Sequence, residues 1–140
     1  PIKRIGIIPY NEKYIMAATD YYSQDITDIG GARREGESLI DCCLRISDEK
    51  SLGCIRLNRN KILESDIVEK GDRAIIFVKL LTNLFNITRE YKNKRDKYIL
   101  KNSNLFVYET DEFINLVNKG NITKNGRTFK MYDKVREILL

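Results

Sequence analysis

The 140-residue chain reads as a single α/β domain, and three stretches make that case. Residues 73–82 (RAIIFVKLLT) form the strongest strand signal, apolar enough for a central position in a sheet. Residues 3–9 carry the β-branched Ile5, Ile7 and Ile8 and read as a second strand. Residues 38–50 place Leu39, Ile40, Cys43 and Leu44 at helical spacing, with Glu37, Asp41, Arg45, Asp48 and Glu49 recurring on the other side. That is the pattern of an amphipathic helix with one face on a core. The length suits one domain with one real core, and 42% hydrophobic with 32% charged residues is ordinary globular composition.

Taken in order, the elements are as follows. After the first strand, Asn11-Glu12 makes a turn and residues 13–19 read as the returning strand of a hairpin. Tyr21 to Asp25 is polar and aromatic, a loop expected over the site. Gly30-Gly31 opens a tight loop, and Ser38 is a good helix starter that forms a capping-box-like pair with Asp41. Residues 54–57 read as a short strand, whereas 58–72 are polar and charged without clear periodicity. Residues 86–101 are the most basic stretch. Arg89, Lys92, Lys94, Arg95 and Lys97 outnumber Glu90 and Asp96, with Tyr91 and Tyr98 interleaved. Such a stretch reads first as a solvated loop or helix face, and alternatively as a phosphate track with bases stacked on tyrosine. Residues 104–109 read as another strand. Thr110 is expected to cap a short amphipathic helix over 110–117, with Gly120 ending it. Gly126-Arg127-Thr128 leads into a last helix with Phe129, Tyr132, Val135, Ile138 and Leu139 at helical spacing.

Composition narrows the chemistry. A net charge of +5 permits anionic partners without requiring them. No apolar run approaches the length of a membrane span, and Pro1-Ile2-Lys3-Arg4 lacks a signal-peptide core. An odd count of three cysteines, with Cys42 and Cys43 adjacent on a helix, points to reduced thiols and a cytoplasmic location. With no histidine, Ser-His-Asp and Cys-His catalysis are excluded and a zinc site is disfavoured. Acid–base work falls to carboxylates, Lys, Tyr or Cys.

The stretch from Gly30 to Lys50 resembles the Nudix box. That pattern runs Gly, five residues, Glu, seven residues, Arg-Glu, an aliphatic, any residue, Glu-Glu, any residue, Gly, an aliphatic. Gly31, Glu37, Arg45 and Glu49 stand at the matching spacing. Ile46 and Lys50 stand where two glutamates belong, Ser47 replaces the aliphatic, and the closing glycine, Gly53, comes one residue late. The opening hairpin and the strand–helix ending extend the resemblance over nearly the whole chain.

The resemblance implies a single Nudix-like domain over residues 1–140, an α/β/α sandwich with a mixed sheet, the box loop-helix and a C-terminal helix. It implies cleavage of a diphosphate that links a nucleoside to another group, with Mg2+ or Mn2+ neutralising the diphosphate and activating water. In the family, three box-helix glutamates on one face supply the metal ligands; here those positions are Ile46, Glu49 and Lys50. Glu49 remains, with Asp48 as the nearest replacement, and Lys50 repels a cation at its position by several kcal/mol at short range, of order ~4 kcal/mol at moderate effective dielectric. Glu49 and Glu112 are the catalytic candidates, Glu112 because some Nudix enzymes carry a base in that region. Glu37 and Arg45 are expected to form a structural ion pair. Gly30, Gly31, Arg33, Arg34 and Lys50 are the substrate-binding candidates, a glycine loop turned basic and suited to an anion. Two functions follow. One is a pyrophosphohydrolase-type protein acting on a diphosphate-linked nucleotide or an RNA 5′ end through a degraded metal site. The other is a catalytically inactive module that binds a nucleotide, RNA or protein and takes no metal. A homodimer is a further expectation from the family, and a membrane partner is not expected.

Overall fold

A computed structural model describes residues 1–98 and 103–140. Its organising strand is β1 (Arg4–Tyr10). Along one edge β1 runs parallel to β6 (Arg73–Lys79), in register from Arg4 opposite Arg73 to Tyr10 opposite Lys79. Its other edge is divided. β2 (Tyr14–Thr19) pairs with its end at Tyr10 opposite Ile15, and β4 (Ile29–Ala32) pairs with its beginning, Arg4 opposite Ala32 to Ile7 opposite Ile29. β3 (Ile26–Thr27) and β7 (Leu105–Glu109) pair with β2, and β5 (Asp66–Lys70) pairs with β6. The result is a seven-stranded mixed sheet whose strands fork where β1 passes from β4 to β2.

Alternation along the strands builds two cores, because successive side chains leave a strand on opposite faces. Ile5, Ile7, Met16, Ile76 and Val78 point to one face, against α1 (Leu39–Lys50), α2 (Arg59–Leu63) and α3 (Leu84–Lys97). Ile8, Ala17 and Ile75 point to the other, against α4 (Thr110–Lys119) and α5 (Asp133–Leu139). Helices on both faces of a mixed sheet make this an α/β chain, as its composition of strand and helix signals suggests.

α1 begins as its sequence dictates, with Ser38 Oγ accepting from the Asp41 N–H at 3.1 Å. The face it buries includes most of what its spacing suggests and is centred slightly further round. Cys43 is buried and Ile40 and Leu44 pack on the core, Cys42, Ile46 and Ser47 are buried beside them, and only Leu39 lies exposed at the first turn. The helix packs where Gly31 leaves room: a Cβ there would stand 3.5 Å from the Ile46 side chain. Burial pushes the Cys42 thiol up to about 11 and Cys43 up to about 12, so both are neutral core filler at physiological pH.

Five expectations need correction. Gly30 and Gly31 open no loop: they lie within β4, opposite Gly6 and Ile5 of β1, because the glycines let the two strands close over the Arg4 and Asp28 side chains. Residues 54–57 form no strand, because Ser51 Oγ accepts from the Ile55 N–H at 2.9 Å and holds the segment as a loop with Ile55 buried. Residues 58–72 contain α2 and β5, short elements that mark no period of their own. Thr110 is the first residue of α4 rather than its cap; Glu109 caps it, with the Glu112 carboxylate accepting from the Glu109 N–H at 3.0 Å. The last helix starts only at Asp133, because Asn125 and Gly126 both take positive φ and close a hairpin of β8 (Asn121–Lys124) and β9 (Arg127–Lys130). The basic stretch is mostly α3, and its last positions, 99–101, lie outside the described residues.

Two glycines serve the fork. Gly6 and Gly30 face each other in the β1–β4 ladder. A Cβ on Gly6 would fall 1.6 Å from Asp28 Oδ2, and one on Gly30 would fall 2.4 Å from an Arg4 guanidinium nitrogen. The space they leave holds a two-bond ion pair, Arg4 Nη1 to Asp28 Oδ2 at 2.9 Å and Nη2 to Oδ1 at 2.7 Å, with the carboxylate fully buried. Gly6→Ala forces that pair apart and is expected to cost roughly 3 kcal/mol or more. Gly36→Ala, where only the positive φ of 76° resists the new methyl, is expected to cost about 1 kcal/mol. Urea denaturation of the two variants measures the difference; equal losses would show that the pair tolerates displacement.

Candidate functional site

The loop 33–38 is tied to α1 by one guanidinium. Arg45 Nε donates to Glu37 Oε2 at 2.7 Å and Nη2 to Oε1 at 2.9 Å, and Nη2 also donates to the Ala32 carbonyl at 2.9 Å. Both side chains are largely buried, at 17% and 13% exposure, so the pair is screened less than a surface pair. The hydrogen bonds from Arg45 hold the Glu37 carboxyl down at about 2. Glu37 Oε1 accepts from the Arg34 N–H at 3.1 Å as well, which fixes the turn before the helix. The ion pair that the resemblance implies between Glu37 and Arg45 is formed.

Glu49 lies beside this pair. Its carboxylate receives Arg45 Nη1 at 3.2 Å and has an Arg34 nitrogen 3.6 Å away. Asp48, one residue earlier, turns elsewhere and meets Arg56 at 3.7 Å. The two proposed metal ligands thus face different arginines. Ile46 is wholly buried in the core beneath the loop. This face offers one arginine-bound carboxylate, one isoleucine and one lysine at the three positions named by the resemblance. That donor set does not fit a hard cation, which takes several oxygen ligands. Among the described residues no group of three or more His, Cys, Asp or Glu is gathered for a metal.

The other candidates separate. Arg33 is consumed in the loop, donating to the Glu37 carbonyl at 2.7 Å and to the Ile2 carbonyl at 3.1 Å. Arg34 extends into solvent. Glu112 belongs to α4, which packs on the sheet face opposite α1, and its carboxylate meets Lys124 Nζ at 3.3 Å. It closes the start of a helix and does not approach Glu49's loop. The closing glycine of the resemblance is Leu52 here, and the backbone turns left-handed there all the same, at φ 54°, before Gly53 at 78°.

Gly30 and Lys50 do come together. They line a cavity of about 230 Å3 at the strand fork, with Arg4, Asp20, Tyr21, Asp28 and Tyr91. Gly31 lies just beneath Lys50, whose Cε would be 3.4 Å from a Cβ at that glycine. Sequence reasoning missed Arg4 and Asp28; the visible signal was a glycine in each of two strands that would otherwise be apolar. Burial works against the Arg4 charge, but the hydrogen bonds and charge of Asp28 outweigh it and raise the Arg4 pKa. Asp20 is likewise engaged, accepting from the Tyr22 and Ser23 N–H groups at 3.1 and 2.9 Å. Asp28 is thus paired with a guanidinium, and Asp20 is held by the N–H groups of its own loop with no ion pair among the described residues. Lys50 has no ion-pair partner among the described residues. The cavity can accept an anion. A larger open hollow of about 440 Å3 beside Tyr14, Leu81 and Phe85 holds none of the residues selected from the sequence.

Compared with models of protein families and with curated proteins, the chain matches none.

The loop should be acid-sensitive in a defined window. The Glu37 carboxyl is lowered from 4.5 to about 2 by folding, so its contribution is complete above pH 4.5 and lost as pH falls towards 2. Glu37→Gln removes that dependence. Urea midpoints measured from pH 7 to pH 2 are expected to show wild type above the variant at neutral pH and the two converging at the acid end. A constant gap would place the stabilisation elsewhere.

Proposed function

We propose that this chain is a Nudix-fold module that binds the phosphate end of a nucleotide or an RNA 5′ end without a metal cluster. The observation that carries the reading is Lys50. Its side chain lines a small cavity beside Gly30 and Gly31 and has no ion-pair partner among the described residues; of the two carboxylates there, Asp28 is paired with Arg4 and Asp20 accepts from the N–H groups of its own loop. The mixed sheet with helices on both faces, and a loop after β4 locked to the next helix by Glu37 and Arg45, support the Nudix part of the proposal.

The chemistry is that of an anion held by a point charge. Lys50 supplies up to three N–H donors to phosphate oxygens. The glycine pair lets a ligand approach backbone closely, and Arg4 keeps the buried Asp28 from repelling it. Tyr21, half exposed at the rim, offers a ring face for a base. The competing pyrophosphohydrolase reading needs Glu49 and Asp48 as metal ligands, and each is engaged by arginine.

Calorimetric titration of GTP, GDP and a short 5′-triphosphorylated RNA, with either EDTA or magnesium present, tests the proposal. Binding is expected in EDTA, with no hydrolysis products when magnesium is added. Lys50→Glu is expected to weaken it roughly ten- to hundredfold, the worth of a hydrogen bond to a charged group. Binding or turnover that appears only with magnesium would favour the hydrolase. No binding under either condition would point to a protein partner. Lys50→Glu is the informative variant, because Ile46→Glu would also bury a carboxylate in the core.

A further inference from the structure

β5 is the last strand of the sheet on the side of β6, so one row of its backbone N–H and C=O groups faces outward. Proteins blunt such edges with short strands, charged side chains, bulges, prolines or covering segments, and charges on an edge admit only a partner strand whose charges match them. Here the strand is five regular residues, Asp66-Ile67-Val68-Glu69-Lys70, and every one of them is exposed. Ile67 keeps 49% and Val68 38% of its surface in solvent.

The charges on this strand decide what fits it. A second copy extending the sheet about a two-fold axis must pair residues on the same face, so the dyad passes through a residue. Centred on Glu69, two carboxylates meet. Centred on Ile67, Asp66 faces Val68 and no charges are matched. Centred on Val68, Asp66 of each copy faces Lys70 of the other, and the two valines meet at the axis. Asp66 and Glu69 have no ion-pair partner among the described residues, and Lys70 reaches only the Glu137 carbonyl, at 3.3 Å. We propose that two copies of this chain associate by antiparallel pairing of β5 with β5 about Val68, joining their sheets into one.

Five residues a side is well below the 20 to 30 of a standard interface, so the dimer is expected to be weak, with Kd roughly 10–100 µM. Sedimentation velocity over a concentration series reads it directly. Asp66→Lys sets lysine opposite lysine twice and is expected to raise Kd roughly tenfold. The exchange Asp66→Lys with Lys70→Asp restores the matched charges and is expected to return Kd to within about threefold of wild type, which also shows that the single variant had not simply misfolded. Facing residues of an antiparallel pair have Cα atoms about 4.5–5.5 Å apart, within disulfide reach. Val68→Cys is therefore expected to give a covalent dimer on mild oxidation while wild type does not. A monomer at concentrations up to about 0.5 mM, together with no disulfide-linked dimer of the Val68→Cys variant, would overturn the proposal. So would a dimer that ignores Asp66→Lys.

Discussion

Arg45 is the residue on which the candidate site depends. Its guanidinium is planar and forked, so it closes two bonds with Glu37, a third with Glu49 and a fourth with the Ala32 carbonyl. Those partners belong to β4, to the loop after it and to the next turn of the helix. One side chain thus fixes the angle at which α1 leaves the sheet. That angle sets Ile46 against Gly31 and brings Lys50 over the same glycine. A lysine in place of Arg45 could not hold the loop, because a point charge lacks the fork.

The same arginine removes Glu49 from other work. A carboxylate held by one guanidinium with a second nearby is oriented, and its lone pairs are directed at N–H donors. Asp48 is separated from it by the helix itself, since neighbours on a helix diverge by about 100°. The helix face that could gather oxygens gathers arginines. What survives as an unmatched charge is Lys50, and the natural complement of an unmatched cation beside glycine backbone is an anion.

The fork in the sheet explains why the cavity lies where it does. β1 cannot pair along its whole length with either β2 or β4, so the strands splay and leave a hollow between them. A polar pair fills its floor because Gly6 and Gly30 have no side chains to occupy it. A buried ion pair is a poor source of stability compared with apolar packing. Here it has a second effect, which is to leave that part of the cavity floor without net charge.

Local signals in the sequence determined much of the framework. β-Branched residues identified β1, an apolar run β6 and the hairpin reading β2, Ser38 marked the start of α1, and Gly120 ended α4. These are short-range consequences of strand propensity, turns and capping. The pair of Glu37 with Arg45 was expected from the Nudix resemblance. The sequence left β5 and α2 unseen, since five residues carry too little periodicity, and it misread residues 126–132 because the apolar spacing there outweighed the Asn-Gly turn. Only the tertiary structure decided that Cys42, Ile46 and Ser47 of α1 are buried while Leu39 is not, that Arg33 is spent on backbone while Lys50 is not, and that Glu112 lies across the sheet from Glu49. The cavity was invisible for the same reason. Arg4, Asp28 and Lys50 are far apart in the chain, and what unites them is strand pairing and the room left by glycines, which no local pattern encodes.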